Sequence, residues 1–183
     1  MENKEFYINC DGIALHAKMD FPKEEKDKYP MVIVVHGLTG HSQGGAAIVL
    51  AAGLKEDCLK AIMPLAPAMM IRDVAYEGGF PLTQYDSDRL GEEFMLFGER
   101  PLSANYMRTA RLLPFEDAVR NFKKPVLIVH SDTDELVPFE YSVKLQKDYE
   151  NAELVTIPGD NHVFDKHLDM VLAAITKFLG EQA

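Results

Sequence analysis

Positive charge is scarce in this 183-residue chain: 19 lysines and arginines stand against 29 aspartates and glutamates, a formal net charge of -10. Nucleic-acid binding relies on a basic face that neutralises phosphate, so this balance excludes nucleic acid as a partner. Cysteine is scarcer still. The two present, Cys10 and Cys58, lack C-x-x-C spacing and define neither a disulfide framework nor a zinc site, so both are expected as reduced thiols. Long apolar runs are missing as well: nothing approaches the ~18 consecutive apolar residues of a membrane span. The opening Met1-Glu2-Asn3-Lys4-Glu5 lacks the basic-then-apolar order of a secretory signal. The expectation is a cytoplasmic protein with no membrane partner.

Phosphate-loop patterns are also absent. Gly37, Gly40, Gly44 and Gly45 are not followed by Gly-Lys-Ser/Thr and do not fit G-x-G-x-x-G, so nucleotide binding is not expected. His162 and His167 are five apart and do not share a helix face, which argues against a metal pair. No metal and no other cofactor is expected.

What is present suits one globular domain over residues 1–183, with 47% apolar and 26% charged residues. Asp11-Gly12 between two strand-like runs predicts an antiparallel hairpin at the start. The continuous apolar run 31–35 has the pattern of a strand buried on both faces, which belongs to a parallel sheet. Strand-like runs at 61–65, 126–129 and 153–157 alternate with helical patterns at 44–54, 139–149 and 165–179, the signature of an α/β fold. Residues 67–114 break into short pieces rich in Gly, Pro, Met, Phe and Tyr. A stretch of that length is too long for a plain connection and is expected as a folded cap.

The chemistry begins at Gly40-His41-Ser42-Gln43-Gly44, a G-x-S-x-G nucleophile elbow. A serine hydroxyl needs a histidine to take its proton, and the histidine needs an acid to fix its tautomer and stabilise its charge. Asp134 follows the strand-like run 126–129, and His162 follows 153–157, so the order is Ser42, Asp134, His162. Each sits at the carboxyl end of an expected parallel strand, where open α/β sheets gather their ligands. Asp132 is the alternative acid; Asp160 and Glu135 fit ordinary loop carboxylates. His16, His130 and His167 are expected to be structural or exposed.

Several motifs in order, His36-Gly37-Leu38-Thr39-Gly40-His41, His41-Ser42-Gln43-Gly44-Gly45, Asp134-Glu135-Leu136-Val137-Pro138 and Pro158-Gly159-Asp160-Asn161-His162, resemble the cinnamoyl or feruloyl esterases of the α/β-hydrolase superfamily. The resemblance implies a shortened, mostly parallel sheet of about six strands flanked by helices. It also implies a carboxylic ester hydrolase acting on hydroxycinnamate esters through an acyl-serine. Ser42, Asp134 and His162 match the nucleophile, acid and base. The backbone N-H groups of Leu38 and Gln43 match the oxyanion hole, and Tyr106 and Asp73 match substrate-binding positions. The expected partner is a small-molecule ester.

One feature departs from that pattern. The resembling enzymes separate His-Gly from the elbow by further strand and helix units, whereas here Ser42 comes six residues after His36. A βαβ crossover takes ~30 residues, so a missing stretch of about 60 residues is implied. Losing central strands exposes edges that invite pairing with another chain, so a homodimer is expected. A catalytically silent remnant, acting as a binding or oligomeric protein, is the alternative.

Overall fold

A computed structural model describes residues 2–10, 13–21, 40–80, 83–96 and 100–182. The chain divides into two compact units, 1–33 and 34–183. In the first, β1 (Glu2–Cys10) pairs antiparallel with β2 (Ile13–Phe21), with Cys10 opposite Ile13, which is the hairpin that Asp11-Gly12 predicts. The expected strand at 31–35 lies outside the described residues.

In the second unit, helix α1 (Gln43–Leu54) follows directly on Ser42. Its buried Ala46, Val49 and Ala52 recur at helical spacing and form one face. The expected cap contains α2 (Ile71–Glu77), two short hairpins and α3 (Asn105–Ala110). The hairpins pair β3 (Gly79–Phe80) with β4 (Thr83–Gln84) and β5 (Glu93–Leu96) with β6 (Arg100–Ser103). These strands are two to four residues long and pair only locally. Helix α4 (Phe115–Asn121) packs on α1. The approach is close enough that a Cβ on Gly53 would lie 2.3 Å from Ala118 Cα, so only glycine fits there.

The regular parallel ladder joins β7 (Val126–Ser131) to β8 (Ala152–Ile157), with α5 (Phe139–Asp148) between them and α6 (Leu168–Gln182) after them. Every residue of β7 is buried because both faces of the sheet are covered. Val126 and Ile128 join the cluster that contains Ala46, Val49 and Phe115. The alternate residues Leu127 and Val129 join Ile157, Phe164, Val171 and Phe178. On α6, Val171, Ala174, Ile175 and Phe178 follow the i, i+3, i+4, i+7 spacing of a helix lying on a sheet.

The strand expected at 61–65 forms only in part. Ile62 and Ala66 donate to the carbonyls of Pro125 and Val129 at 3.1 and 2.8 Å. Pro64, between them, has no N-H for the intervening rung. Isolated parallel bridges therefore replace a ladder to β7, Ile62 with Val126 and Leu65 with Val129; among the described residues His41 also bridges Leu65. The bridges still align four segments side by side, in the order of the chain before Ser42, residues 62–65, β7 and β8. Among the described residues no helix is long and apolar enough to cross a membrane.

Candidate active site

Ser42 stands at the turn between the His41 bridge and α1. Its backbone has φ 61° and ψ -119°, a conformation in which a non-glycine residue is strained and which aims the side chain out of the turn. Local hydrogen bonds hold it there: its N-H donates to Leu65 O at 2.9 Å, and its carbonyl accepts from Ala68 N-H at 2.8 Å and Ala46 N-H at 3.2 Å. Gly45 makes the tight packing feasible, because a Cβ there would meet Pro67 Cα at 2.9 Å. The pattern G-x-S-x-G thus forms the sharp strand-to-helix turn its sequence predicts.

Asp134 and His162 meet as expected. Asp134 lies in the loop after β7, and its Oδ2 accepts from His162 Nδ1 at 2.6 Å. Its Oδ1 accepts from the N-H groups of Leu136 and Val137, both at 2.8 Å, and its side chain has no exposed surface. Burial alone would raise the carboxyl's pKa. Hydrogen bonds from His130 and His162, and then from the Val137 and Leu136 amides, outweigh it and hold the group well below the usual carboxylate range. It is therefore ionised at neutral pH and can accept from His162 Nδ1, leaving Nε2 as the basic nitrogen.

The loop bearing His162 is tied to the loop bearing Asp134. Ser131 Oγ and Thr133 Oγ1 both donate to Asp160 O, at 2.6 and 2.7 Å. Gly159 N-H donates to Asp132 Oδ1 at 2.7 Å, and His162 N-H to Glu135 Oε2 at 3.1 Å. Asp132, the alternative acid, is therefore a loop tie and not the partner of His162. Asp160 is buried, and its carboxylate takes the N-H groups of Asn161, Lys166 and His167 at 2.8, 3.2 and 2.8 Å. Those contacts keep residues 165–167 in a turn, so the last helix begins at Leu168 and not at 165, and His167 precedes it.

His41 links the two sides. Its ring lies 4.3 Å from that of His162 and 5.7 Å from that of Phe164, and its Nε2 donates to His162 O at 2.5 Å. Burial, helped by the neighbouring His162, lowers its pKa, so the ring stays neutral at neutral pH. Ser42 Oγ itself makes no hydrogen bond to His162 among the described residues. Catalytic hydrogen bonds of this kind are often long in ligand-free enzymes.

Of the oxyanion donors, Leu38 lies outside the described residues. Gln43 is the first residue of α1, where the first-turn amides have no intrahelical acceptor. The next amide, Gly44 N-H, is taken by His41 O at 3.0 Å and is not a second donor. Tyr106 on α3 is half-buried; burial, opposed by a hydrogen bond with the Gln43 side chain, pushes its hydroxyl up to about 12. That interaction sets Tyr106 beside the elbow. Asp73 on α2 is instead engaged by α5, accepting from the Tyr141 hydroxyl at 2.8 Å.

Sequence reasoning missed His130. Its ring is fully buried, with Nε2 donating to Asp134 Oδ2 at 3.0 Å and Nδ1 at 2.7 Å from Ser142 Oγ. The available signal was its parity on β7, the same as Val126 and Ile128, which turns it toward α5 and not toward solvent.

Est1E from Butyrivibrio proteoclasticus matches with a TM-score of 0.87 and 33% identity, over 97% of this chain and 98% of that chain. The structure of Est1E with ferulic acid bound matches with a TM-score of 0.75 and 45% identity, over 78% of this chain and 57% of that chain. A provisionally named non-heme chloroperoxidase from Synechocystis sp. is 34% identical over 70 residues, 37% of this chain. This chain spans 25% of the length of that relative. The family model of the prolyl oligopeptidase family matches residues 33–183. The chain therefore belongs to the prolyl oligopeptidase family and has the α/β-hydrolase fold.

Proposed function

We propose that the protein is a carboxylic ester hydrolase that works through an acyl-serine. Ser42 Oγ attacks the ester carbonyl while His162 Nε2 takes its proton, and Asp134 steadies the imidazolium so formed. Collapse of the tetrahedral intermediate expels the alcohol, which leaves with the proton from His162. Water, activated by the same nitrogen, then releases the acid. The observation that carries this reading is the His162 Nδ1 to Asp134 Oδ2 hydrogen bond at 2.6 Å, beside a serine held at φ 61° on a helix entrance.

Hydroxycinnamate esters are the proposed substrates. Similarity to Est1E, which has been solved with ferulic acid, supports that choice, as does Tyr106 beside Gln43. The Gln43 N-H is the proposed oxyanion donor, with Leu38 as the second. Asp73, which accepts from the Tyr141 hydroxyl, is a second proposed substrate-binding residue, and the proposed setting is the cytoplasm. Removing one oxyanion donor costs about 100- to 1000-fold in turnover, so the two N-H groups decide how active the chain is.

A silent or impaired remnant, persisting as a binding or homodimeric protein, is the second reading. Ser42 follows Leu38 by four residues, so no strand and helix units separate the two proposed oxyanion donors, unlike the pattern of the esterases the chain resembles. One Est1E match takes 78% of this chain onto 57% of that chain and fits a shortened relative, whereas the other takes 97% onto 98% and does not. Hydrolysis of p-nitrophenyl acetate and methyl ferulate by wild type and Ser42→Ala, with fluorophosphonate labelling, separates the two. Stoichiometric labelling and a rate lost in Ser42→Ala support the esterase; equal rates in the two proteins reject it.

A further inference from the structure

We propose that His130 is a positioning residue of the acid-base pair, one whose buried imidazole orients the Asp134 carboxylate toward His162 and divides its charge between two donors. The proposal rests on the esterase reading of Asp134 and His162. His130 and His162 approach the same oxygen, Asp134 Oδ2, from β7 and from the loop after β8, at 3.0 and 2.6 Å.

The contacts assign the tautomer. An ionised carboxylate only accepts, so His130 Nε2 must carry a proton. In the tautomer protonated on Nε2 alone, Nδ1 accepts from the Ser142 hydroxyl, 2.7 Å away and itself buried on α5. The result is a chain running from Ser142 Oγ-H through His130 to Asp134 and on to His162. Phe139 closes the ring's other side with its edge, at a centroid distance of 5.6 Å. The charged and titratable groups around this chain are Asp134 in the loop after β7, His162 after β8, and His41 before α1. Glu135 adds a carboxylate on His162 N-H.

This arrangement does two things to the reaction. Oδ1 is fixed by the Leu136 and Val137 amides and Oδ2 by His130, so the carboxylate cannot turn away from His162. Oδ2 also has to satisfy His130, so less negative charge falls on the His162 side. Without the His130 donor, the carboxylate would stabilise the His162 imidazolium more strongly through Nδ1-H, and Nε2 would give its proton to the leaving alcohol less readily.

The test uses His130→Leu, His130→Gln and Ser142→Ala in the full chain, each checked for folding by circular dichroism. His130→Leu deletes the donor, whereas the amide nitrogen of glutamine reaches nearly the same point as imidazole Nε2. The expected result for His130→Leu is a fall in kcat on methyl ferulate, whose leaving alcohol needs the proton, of about 10- to 100-fold, the worth of one hydrogen bond to a charged group. KM should change less than about twofold, because the residue acts through Asp134 and touches no substrate. The acid limb of kcat/KM should move up by roughly half a pH unit. His130→Gln should recover most of the rate, and Ser142→Ala should fall between.

A His130→Leu profile that matches wild type overturns the proposal, as does a His130→Gln variant as impaired as His130→Leu. If His130→Leu does not fold, Ser142→Ala decides by the same pH profile, and a wild-type profile there overturns the proposal. A second readout is independent of activity: the downfield proton NMR signal of His162 Nδ1-H, assigned by its loss in His162→Gln. A shift of that signal in His130→Leu supports the positioning role, and an unmoved signal overturns it. Should wild type neither turn over esters nor label at Ser42, the esterase reading fails while this signal still decides the role of His130.

Discussion

At one side of the site, Asp134 accepts four hydrogen bonds, from His130, His162, Leu136 and Val137, and His162 is held at its N-H, its carbonyl and its Nδ1. At the other, the Ser42 backbone is fixed by Leu65, Ala46 and Ala68, but its hydroxyl has no hydrogen bond among the described residues. Asp134 and His162, the proposed acid and base, are preorganised by polar contacts at the ends of a regular two-stranded ladder. Ser42, the proposed nucleophile, is presented by backbone strain and close helix packing, and among the described residues its segment is aligned by an isolated bridge. Polar preorganisation tolerates small shifts in packing but not the loss of a partner; the elbow has the opposite sensitivity.

The largest effect should come from Asp134→Asn, which keeps the shape but cannot accept from His162 Nδ1 in the right tautomer. The expected loss in kcat is on the order of 10⁴-fold, with little change in KM, read on p-nitrophenyl acetate. A loss under ten-fold would mean that the hydrogen bonds around Asp134 organise the loops and not the base.

On the elbow side, Gly53→Ala should cost about 1–3 kcal/mol of stability, because the new methyl would meet Ala118 Cα at 2.3 Å and Ala118 O at 2.6 Å across α1 and α4. Thermal melting should show a drop of several degrees. Gly180 on α6 is the control from the other side: a Cβ there meets nothing within 4 Å, so Gly180→Ala should raise Tm slightly through helix propensity. Equal effects at the two glycines would erase the contrast.

The two sides also differed in how far the sequence disclosed them. Asp134 and His162 were legible because each follows an apolar strand into a Gly-, Pro- and Asp-rich loop, and local order alone puts both at carboxyl ends. Ser42 was legible from Gly40 and Gly44 of its pattern, while the next residue, Gly45, is needed for packing, since a Cβ there would stand 2.9 Å from Pro67 Cα. What the sequence concealed was long-range. Nothing local shows that Pro64 interrupts the rungs to β7, that Asp160 takes the amides of Lys166 and His167, or that Asp73 answers to Tyr141. His130 was the plainest miss, since a single histidine ending an apolar strand acquires meaning only when α5 brings Ser142 to it.

Proton linkage sharpens the comparison further. Asp134 is held below its unfolded value, so the stability it contributes is fully present above about pH 4 and is lost as pH falls through its folded value. His41 is also lowered, with the opposite charge bookkeeping: below about 6.5 the unfolded chain binds the extra proton, so stability falls as pH drops from there. Melting temperatures between pH 7 and 4 should therefore decline through the elbow side while Asp134 still holds the acid-base side. His41→Gln should flatten that decline; an unchanged slope would place its source elsewhere.

The smallest effect tests whether the acid-base side is as fully satisfied as its contacts suggest. Tyr149 caps α5 and is buried against the core cluster, and its hydroxyl is a buried side-chain oxygen with no hydrogen-bond partner among the described residues. Burial alone pushes its ionisation well above the usual phenol range. An unpaired buried hydroxyl costs its desolvation without return, so Tyr149→Phe should leave stability unchanged or raise it by up to about 1 kcal/mol, a Tm gain of roughly 2–4 °C. A loss of the same size would mean that the hydroxyl is paired in solution, and the polar network around β7 and α5 would then extend past Ser142 and His130 to the far end of the helix.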